Sequence, residues 1–168
     1  MLNGQGGREV PVAVTRLRRV SEYDVRVNAV EELDVRTSYL LWQLRESVFV
    51  VEQHCPYPEL DGRDLEPTTR HVWVAEVGPE GVRPVAYLRV LDDGDVFRVG
   101  RVLVAATHRG RGLGAVLMAR AHELCAGREV VLDAQSYLVD FYAGLGYEVT
   151  GPEFLDDGIP HLPMRRRA

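Results

Sequence analysis

The residues of this sequence best suited to chemistry are Arg109-Gly110-Arg111-Gly112-Leu113-Gly114, two arginines and three glycines directly before an amphipathic run. A helix leaves the N–H groups of its first turn without intrahelical partners and carries the positive end of its dipole there, so such a turn can hold an anion. Glycines keep side chains out of the way. Arg109 and Arg111 add cationic donors beside the turn, and a main-chain bond to a charged acceptor contributes about 1.5–3 kcal/mol. A pyrophosphate fits that donor set.

The elements that must position this turn can be read on either side of it. Val99 to Ala105 is an apolar strand and Ala106 to Arg109 a short polar connection. Leu113, Val116, Leu117, the stem of Arg120, Ala121 and Leu124 fall on one face of a helix that Gly127 can cap. A lysine-containing P-loop is excluded, because no Gly-Lys-Ser/Thr follows the glycines. Gly110-x-Gly112-x-x-Ala115, with Asp133 at the end of a later strand-like run, formally matches the dinucleotide fingerprint. Against it, the first glycine does not come straight off the strand, and too little chain follows for the rest of a doubly wound domain. Arg109-x-x-Gly112-x-Gly114 after the strand Val102-Leu103-Val104 resembles instead the acetyl-CoA pyrophosphate loop of the GNAT acetyltransferase superfamily. Taken alone, the motif does not separate that reading from a Gly/Arg surface loop before an ordinary helix.

The whole chain sets the bounds. Its 168 residues suit one domain with its own core, and 46% hydrophobic with 27% charged residues is an ordinary globular composition. No apolar run reaches the ~20 residues of a membrane span and the N-terminus lacks the apolar core of a signal peptide, so a cytoplasmic protein without a membrane partner is expected. Cys55 and Cys125 match no metal or redox spacing and read as structural thiols; His54, His108, His122 and His161 likewise show no metal-ligand spacing, and no metal is expected. A net charge of −5 argues against nonspecific nucleic-acid binding while leaving room for a local basic site.

Taken in order, Val25 to Val30 reads as a strand, and Asp34 can cap a helix over Val35 to Val48 with Leu40, Leu41, Leu44 and Val48 on its apolar face. Val48 to Val51 fits helix end or strand. Glu52 to Thr69 is a long aperiodic stretch carrying Glu52, Glu59, Asp61, Asp64 and Glu66 around Tyr57, suited to a cationic or amine partner or to a solvated acidic loop. His71 to Val77, Val85 to Leu91 and Val96 to Ala105 form an antiparallel meander. Glu129 to Ala134 should lie parallel to the last of these strands, because a helix connects them. A short helix over Tyr137 to Gly144 and strands over Tyr147 to Thr150 and His161 to Arg166 complete the chain. Arg98 and Arg101 should fall on opposite faces of their strand.

That order of elements is the GNAT arrangement, and four segments resemble its ElaA-like branch: Leu44 to Trp73, Gly100 to Met118, Leu132 to Gly151 and Phe154 to Arg166. The resemblance implies an α/β (α+β) fold, a central mixed and mostly antiparallel twisted sheet of about six or seven strands flanked by helices. The four segments cover most of residues 33 to 167; the acyltransferase domain is read over residues 21–168, with residues 1–20 an N-terminal extension that has room to be flexible. The resemblance further implies acetyl-CoA as cosubstrate. The Val102-Leu103-Val104 backbone would pair with the pantetheine arm, and Arg109, Gly110, Arg111, Gly112, Leu113 and Gly114 would hold the pyrophosphate. Tyr142 would stand beside the sulfur as the acid that protonates the leaving thiolate, or else be a core aromatic. Glu52 and His71, at the start and just past the end of the long loop, are the candidate bases for an amine acceptor, a small molecule or a protein amine; each could equally be a structural hydrogen-bonding residue. A homodimer is within what the sequence allows. The other function class in view is a non-catalytic acyl-CoA-binding or interaction module.

Overall fold

Asp34 starts the first helix: its carboxylate accepts from the Thr37 N–H at 2.9 Å and from the Thr37 hydroxyl at 2.7 Å. The computed structural model describes residues 23–79 and 81–168; the extension read over residues 1–20 lies outside them. Strand β1 (Tyr23–Asn28) precedes helix α1 (Val35–Glu46), and the meander follows as β2 (Arg70–Gly78), β3 (Gly81–Asp92) and β4 (Val96–Val104). After the glycine turn come α2 (Leu113–Leu124), β5 (Glu129–Gln135), a 3-10 turn (Ser136–Leu138), α3 (Val139–Ala143), β6 (Glu148–Val149), β7 (Phe154–Asp156) and β8 (Ile159–Arg166). The sheet has eight strands in the order β1-β2-β3-β4-β5-β8-β6, with β7 also paired to β8. The additional strand is β7, a short exposed segment too brief for alternation to mark it.

Alternation along β2 divides the core. Val72 and Val74 join the larger cluster on the α2 face, with Leu88, Val90, Leu117, Met118 and Tyr142. Trp73 and Ala75 face the other way, against Leu41, Leu44 and Val48 of the first helical segment. Helix α2 is rotated from the sequence expectation: Met118 is fully buried, whereas Val116 is 43% exposed. The segment Val48 to Val51 is neither α-helix end nor strand but a π-helical continuation, Ser47–Glu52. There the Gln53 and Cys55 N–H groups reach back five residues to Val48 O and Val50 O.

The feature that makes room for a ligand is a short parallel ladder. Strands β4 and β5 pair only over Val96–Arg98 and Glu129–Val131, then part. Beyond that point β4 stays paired to β3, and β5 to β8. A wedge therefore opens between two otherwise continuous half-sheets.

Candidate active site

The wedge is the floor of a cavity of about 770 Å³, bounded by β4, the glycine turn, the start of α2, α3 and the β7–β8 turn. At one end lies the turn itself. Gly110 and Gly112 have φ of 74° and 78°, left-handed values that a side chain would strain. A Cβ built on either would meet nothing within 4 Å, so the space beside the turn is open. No side chain caps α2, whose first bond runs from the Val116 N–H to Gly112 O at 3.2 Å. The Leu113, Gly114 and Ala115 N–H groups are thus left over, and this donor set with open space in front fits a pyrophosphate.

The two arginines brace the turn. Arg109 Nε donates to Val104 O at 3.1 Å, and its terminal nitrogens donate to both Glu52 oxygens at 2.7 and 2.9 Å. Arg111 donates to the Tyr23 hydroxyl at 2.7 Å and to Thr107 O at 3.1 Å. Of the residues expected to hold the cosubstrate, Val102–Val104, Arg109, Gly110, Gly112–Gly114 and Tyr142 line the cavity, whereas Arg111 does not.

Tyr142, on α3, is 5% exposed. Its ring meets Phe141 and Tyr147 edge-on, with centroids 5.0 and 5.9 Å away, and packs into the core. It also lines the cavity, and its hydroxyl has no hydrogen-bond partner among the described residues. Burial raises its pKa, which keeps the phenol protonated. The core-aromatic and cleft-facing positions are therefore the same position.

The two expected bases differ. Glu52 is in the cavity wall, but the Arg109 bonds hold its carboxyl below the usual range. His71 is not brought to the cavity. It is 1% exposed, with Nδ1 2.7 Å from the Tyr87 hydroxyl and Nε2 3.2 Å from Asp64 O. A carbonyl can only accept, so Nε2 carries the proton and Nδ1 accepts from Tyr87; neither nitrogen is free. Burial also lowers its pKa, holding the ring neutral.

The acidic loop is not an open field for an ammonium, because each carboxylate named above has an arginine. Arg45, fully buried on α1, donates to Glu59 at 2.8 Å and to Asp64 at 2.7 Å. Arg89 holds Asp61 by two bonds of 2.7 and 2.6 Å and approaches Asp64 at 3.1 Å. Arg101 donates to Glu59 at 2.9 Å, and Arg63 to Glu66 at 2.7 Å. Burial of Asp61 works against its charge, yet the Arg89 bonds win and bring its pKa down to about 2. The sequence reading missed this pairing because, Arg63 and Glu66 apart, the partners lie 14 or more residues away from each other.

The far wall escaped the sequence reading. Arg98 and Arg101 both line the cavity, contrary to the alternation, because β4 is bulged between Gly100 and Leu103 with Arg101 at φ 57°. Arg101 lies over the Tyr57 ring at 5.5 Å, and Gln135 donates to Gln53 at 3.2 Å. The β7–β8 turn closes this end, where the Cys55 thiol donates to Asp157 O at 3.4 Å. Asp156, Asp157 and His161 complete the wall. His161 read as structural in its turn, and only the register of β8 against β5 reveals its place.

Comparison with known proteins agrees with this geometry. Residues 43–168 match the model of the acetyltransferase (GNAT) domain. A UPF0039 protein of Mycobacterium tuberculosis is 46% identical over 140 residues, covering 81% of this chain and 88% of the relative. Protein ElaA of Escherichia coli is 40% identical over 142 residues, covering 80% and 90%. Among solved structures, an acyl-CoA N-acyltransferase from Pseudomonas aeruginosa superposes with a TM-score of 0.78 at 38% identity, covering 86% of this chain and 99% of that one. The ElaA crystal structure gives 0.78 at 36% identity with the same coverage.

Proposed function

The chain belongs to the GNAT acetyltransferase family and is by that membership an acyltransferase; from this premise we propose that it moves an acetyl group from acetyl-CoA to an amine by direct attack. The observation that carries the reading is the alignment of three open features along one cavity: the uncapped start of α2, the unpaired edge of β4 and the free Tyr142 hydroxyl. A neighbour of the same fold at 14% identity, an aminoglycoside 6'-N-acetyltransferase, was solved with coenzyme A.

When bound, acetyl-CoA supplies a thioester carbonyl that an amine lone pair can attack. The protein's part is positional and acid–base. The Leu113, Gly114 and Ala115 N–H groups anchor the pyrophosphate. The edge of β4 beyond Arg98 offers backbone partners to the pantetheine amides, while Arg109 already occupies Val104 O. An ammonium with a pKa near 10 must lose a proton before it can attack, and the departing thiolate gains one. Tyr142, protonated because buried, donates at the sulfur. Free buried thiols at Cys55 and Cys125 suit a reducing, cytoplasmic setting.

Calorimetry with acetyl-CoA, followed by CoA release with a panel of primary amines, tests the reading. Tyr142→Phe should keep acetyl-CoA affinity and lower kcat by about 10²-fold, as expected for loss of a general acid. Binding without release from any amine would make the chain an acyl-CoA-binding module instead.

A further inference from the structure

We propose that His161 is the general base of the transfer, taking the acceptor's proton on Nε2; the assignment rests on the acyl-transfer reading above. His161 stands on β8 opposite Gln135, the last residue of β5, and opposite Phe154 of β7. That register puts it at the open end of the wedge, in the wall of the same cavity that Tyr142 lines. Two contacts fix its ring. Nδ1 lies 2.8 Å from Ile159 O, and the Phe154 ring stacks on it with centroids 5.9 Å apart at 27°. A carbonyl oxygen only accepts, so Nδ1 bears the hydrogen, and in the neutral ring the lone pair is on Nε2. Among the described residues Nε2 has no partner, and the ring is half-buried rather than sealed.

Other basic groups in the wall are engaged. His108 has Nδ1 at 2.8 Å from the Thr107 hydroxyl and Nε2 at 3.1 Å from Glu76. Glu52 is held by Arg109, and Asp133 accepts from Arg98 at 3.2 Å. Asp156 and Asp157 have no cationic partner among the described residues and suit attraction of an ammonium into the cavity. Carboxylic acids ordinarily titrate near 4 and imidazoles near 6.5, so an imidazole is the stronger base toward an ammonium. The charged or titratable groups on the elements packed against His161 are Glu129 and Asp133 on β5, Tyr137 on the 3-10 turn, Asp156 on β7 with Glu153 just before it, Asp157 in the turn, and the Cys55 thiol bonded to that turn.

The step balances. His161 Nε2 takes one proton from the ammonium, and the freed nitrogen lone pair forms the C–N bond as the C–S bond breaks. The sulfur receives its proton from the Tyr142 hydroxyl. The acylated nitrogen returns one proton to Tyr142, and the imidazolium releases the other to solvent.

Two measurements test the assignment. In the ¹⁵N-labelled protein at alkaline pH, imidazole NMR should show His161 with its hydrogen on Nδ1 and a bare Nε2; hydrogen on Nε2 would overturn it without any acceptor being needed. His161→Asn keeps a donor for Ile159 O, and His161→Gln is the second variant should the first misfold. With butylamine and a short peptide bearing a free α-amine as probes, kcat should fall by about 10²-fold at pH 7. The loss should shrink toward pH 10, where the amine deprotonates by itself, while the acetyl-CoA KM stays unchanged. Wild-type and variant profiles that superpose sink the assignment alone. CoA release with no amine sinks the transferase reading and this assignment with it, while an intact NMR tautomer would then mark the histidine as a ligand contact rather than a base.

Discussion

Two charged regions lie within one cavity's reach and use their charges in opposite ways. Under the long loop, Arg45, Glu59, Asp61, Asp64, Arg89 and Arg101 bond one another, and His71 and Tyr87 close the network. Among side-chain nitrogens and oxygens fully sealed from solvent in the described residues, Arg89 Nε in this network is the single one without a partner. Along the wedge, by contrast, the start of α2, the Tyr142 hydroxyl and His161 Nε2 all lack protein partners. A titratable residue is a construction element where its bonds are complete and a candidate for chemistry where they are not. Residue type alone does not separate them, since His71 and His161 are the same residue.

The largest test of that contrast is Arg45→Met. Removing one member of a buried ion network strips Glu59 and Asp64 of the partner they share and leaves each with one remaining arginine, Arg101 and Arg89, which costs up to about 3–5 kcal/mol. In a domain of this size the thermal midpoint should drop by roughly 10 °C. A midpoint within a degree or two of wild type would show that the network is decoration. Next comes Gly112→Val at the open end. Its side chain would project into the space in front of α2, and acetyl-CoA affinity measured by calorimetry should fall by at least about 10²-fold. The left-handed backbone adds a stability cost of about 1–2 kcal/mol. Retained affinity in the folded variant removes the pyrophosphate from the turn. The smallest effect belongs to the pair bridging both regions, Arg109 and Glu52, which are 47% and 42% exposed. Glu52→Gln releases Arg109 toward an incoming phosphate, and acetyl-CoA should bind up to about fivefold more tightly, the scale of an exposed ion pair. Weaker binding would mean that Glu52 holds the turn in shape.

Much of the frame was legible because it is local. Asp34 capping α1, the three-stranded meander, the glycine turn and the parallel step to β5 all follow from neighbours in sequence. What escaped depends on register and distance. The bulge at Arg101 reversed the alternation that assigned Arg98 and Arg101 to opposite faces. The acidic loop read as available charge because nothing in Glu59 or Asp64 announces an arginine on α1. Arg45 itself sits between Leu41 and Val48 on an apolar face, and a cation there was the visible signal that buried acids must meet it. His161 could not be placed until β8 was aligned with β5.

The parting of β4 from β5 carries one more consequence. Unpaired strand edges invite other chains and so promote aggregation, and proteins usually blunt them with charge, proline or a cover. Here two such edges face inward across a gap. A neighbouring molecule cannot easily reach them, and a single extended ligand can. On the function proposed here, engineering this protein for solubility by the usual edge remedies would be self-defeating at Val99–Val104: the segment that resembles a hazard is the one the acyl-CoA arm would have to find bare.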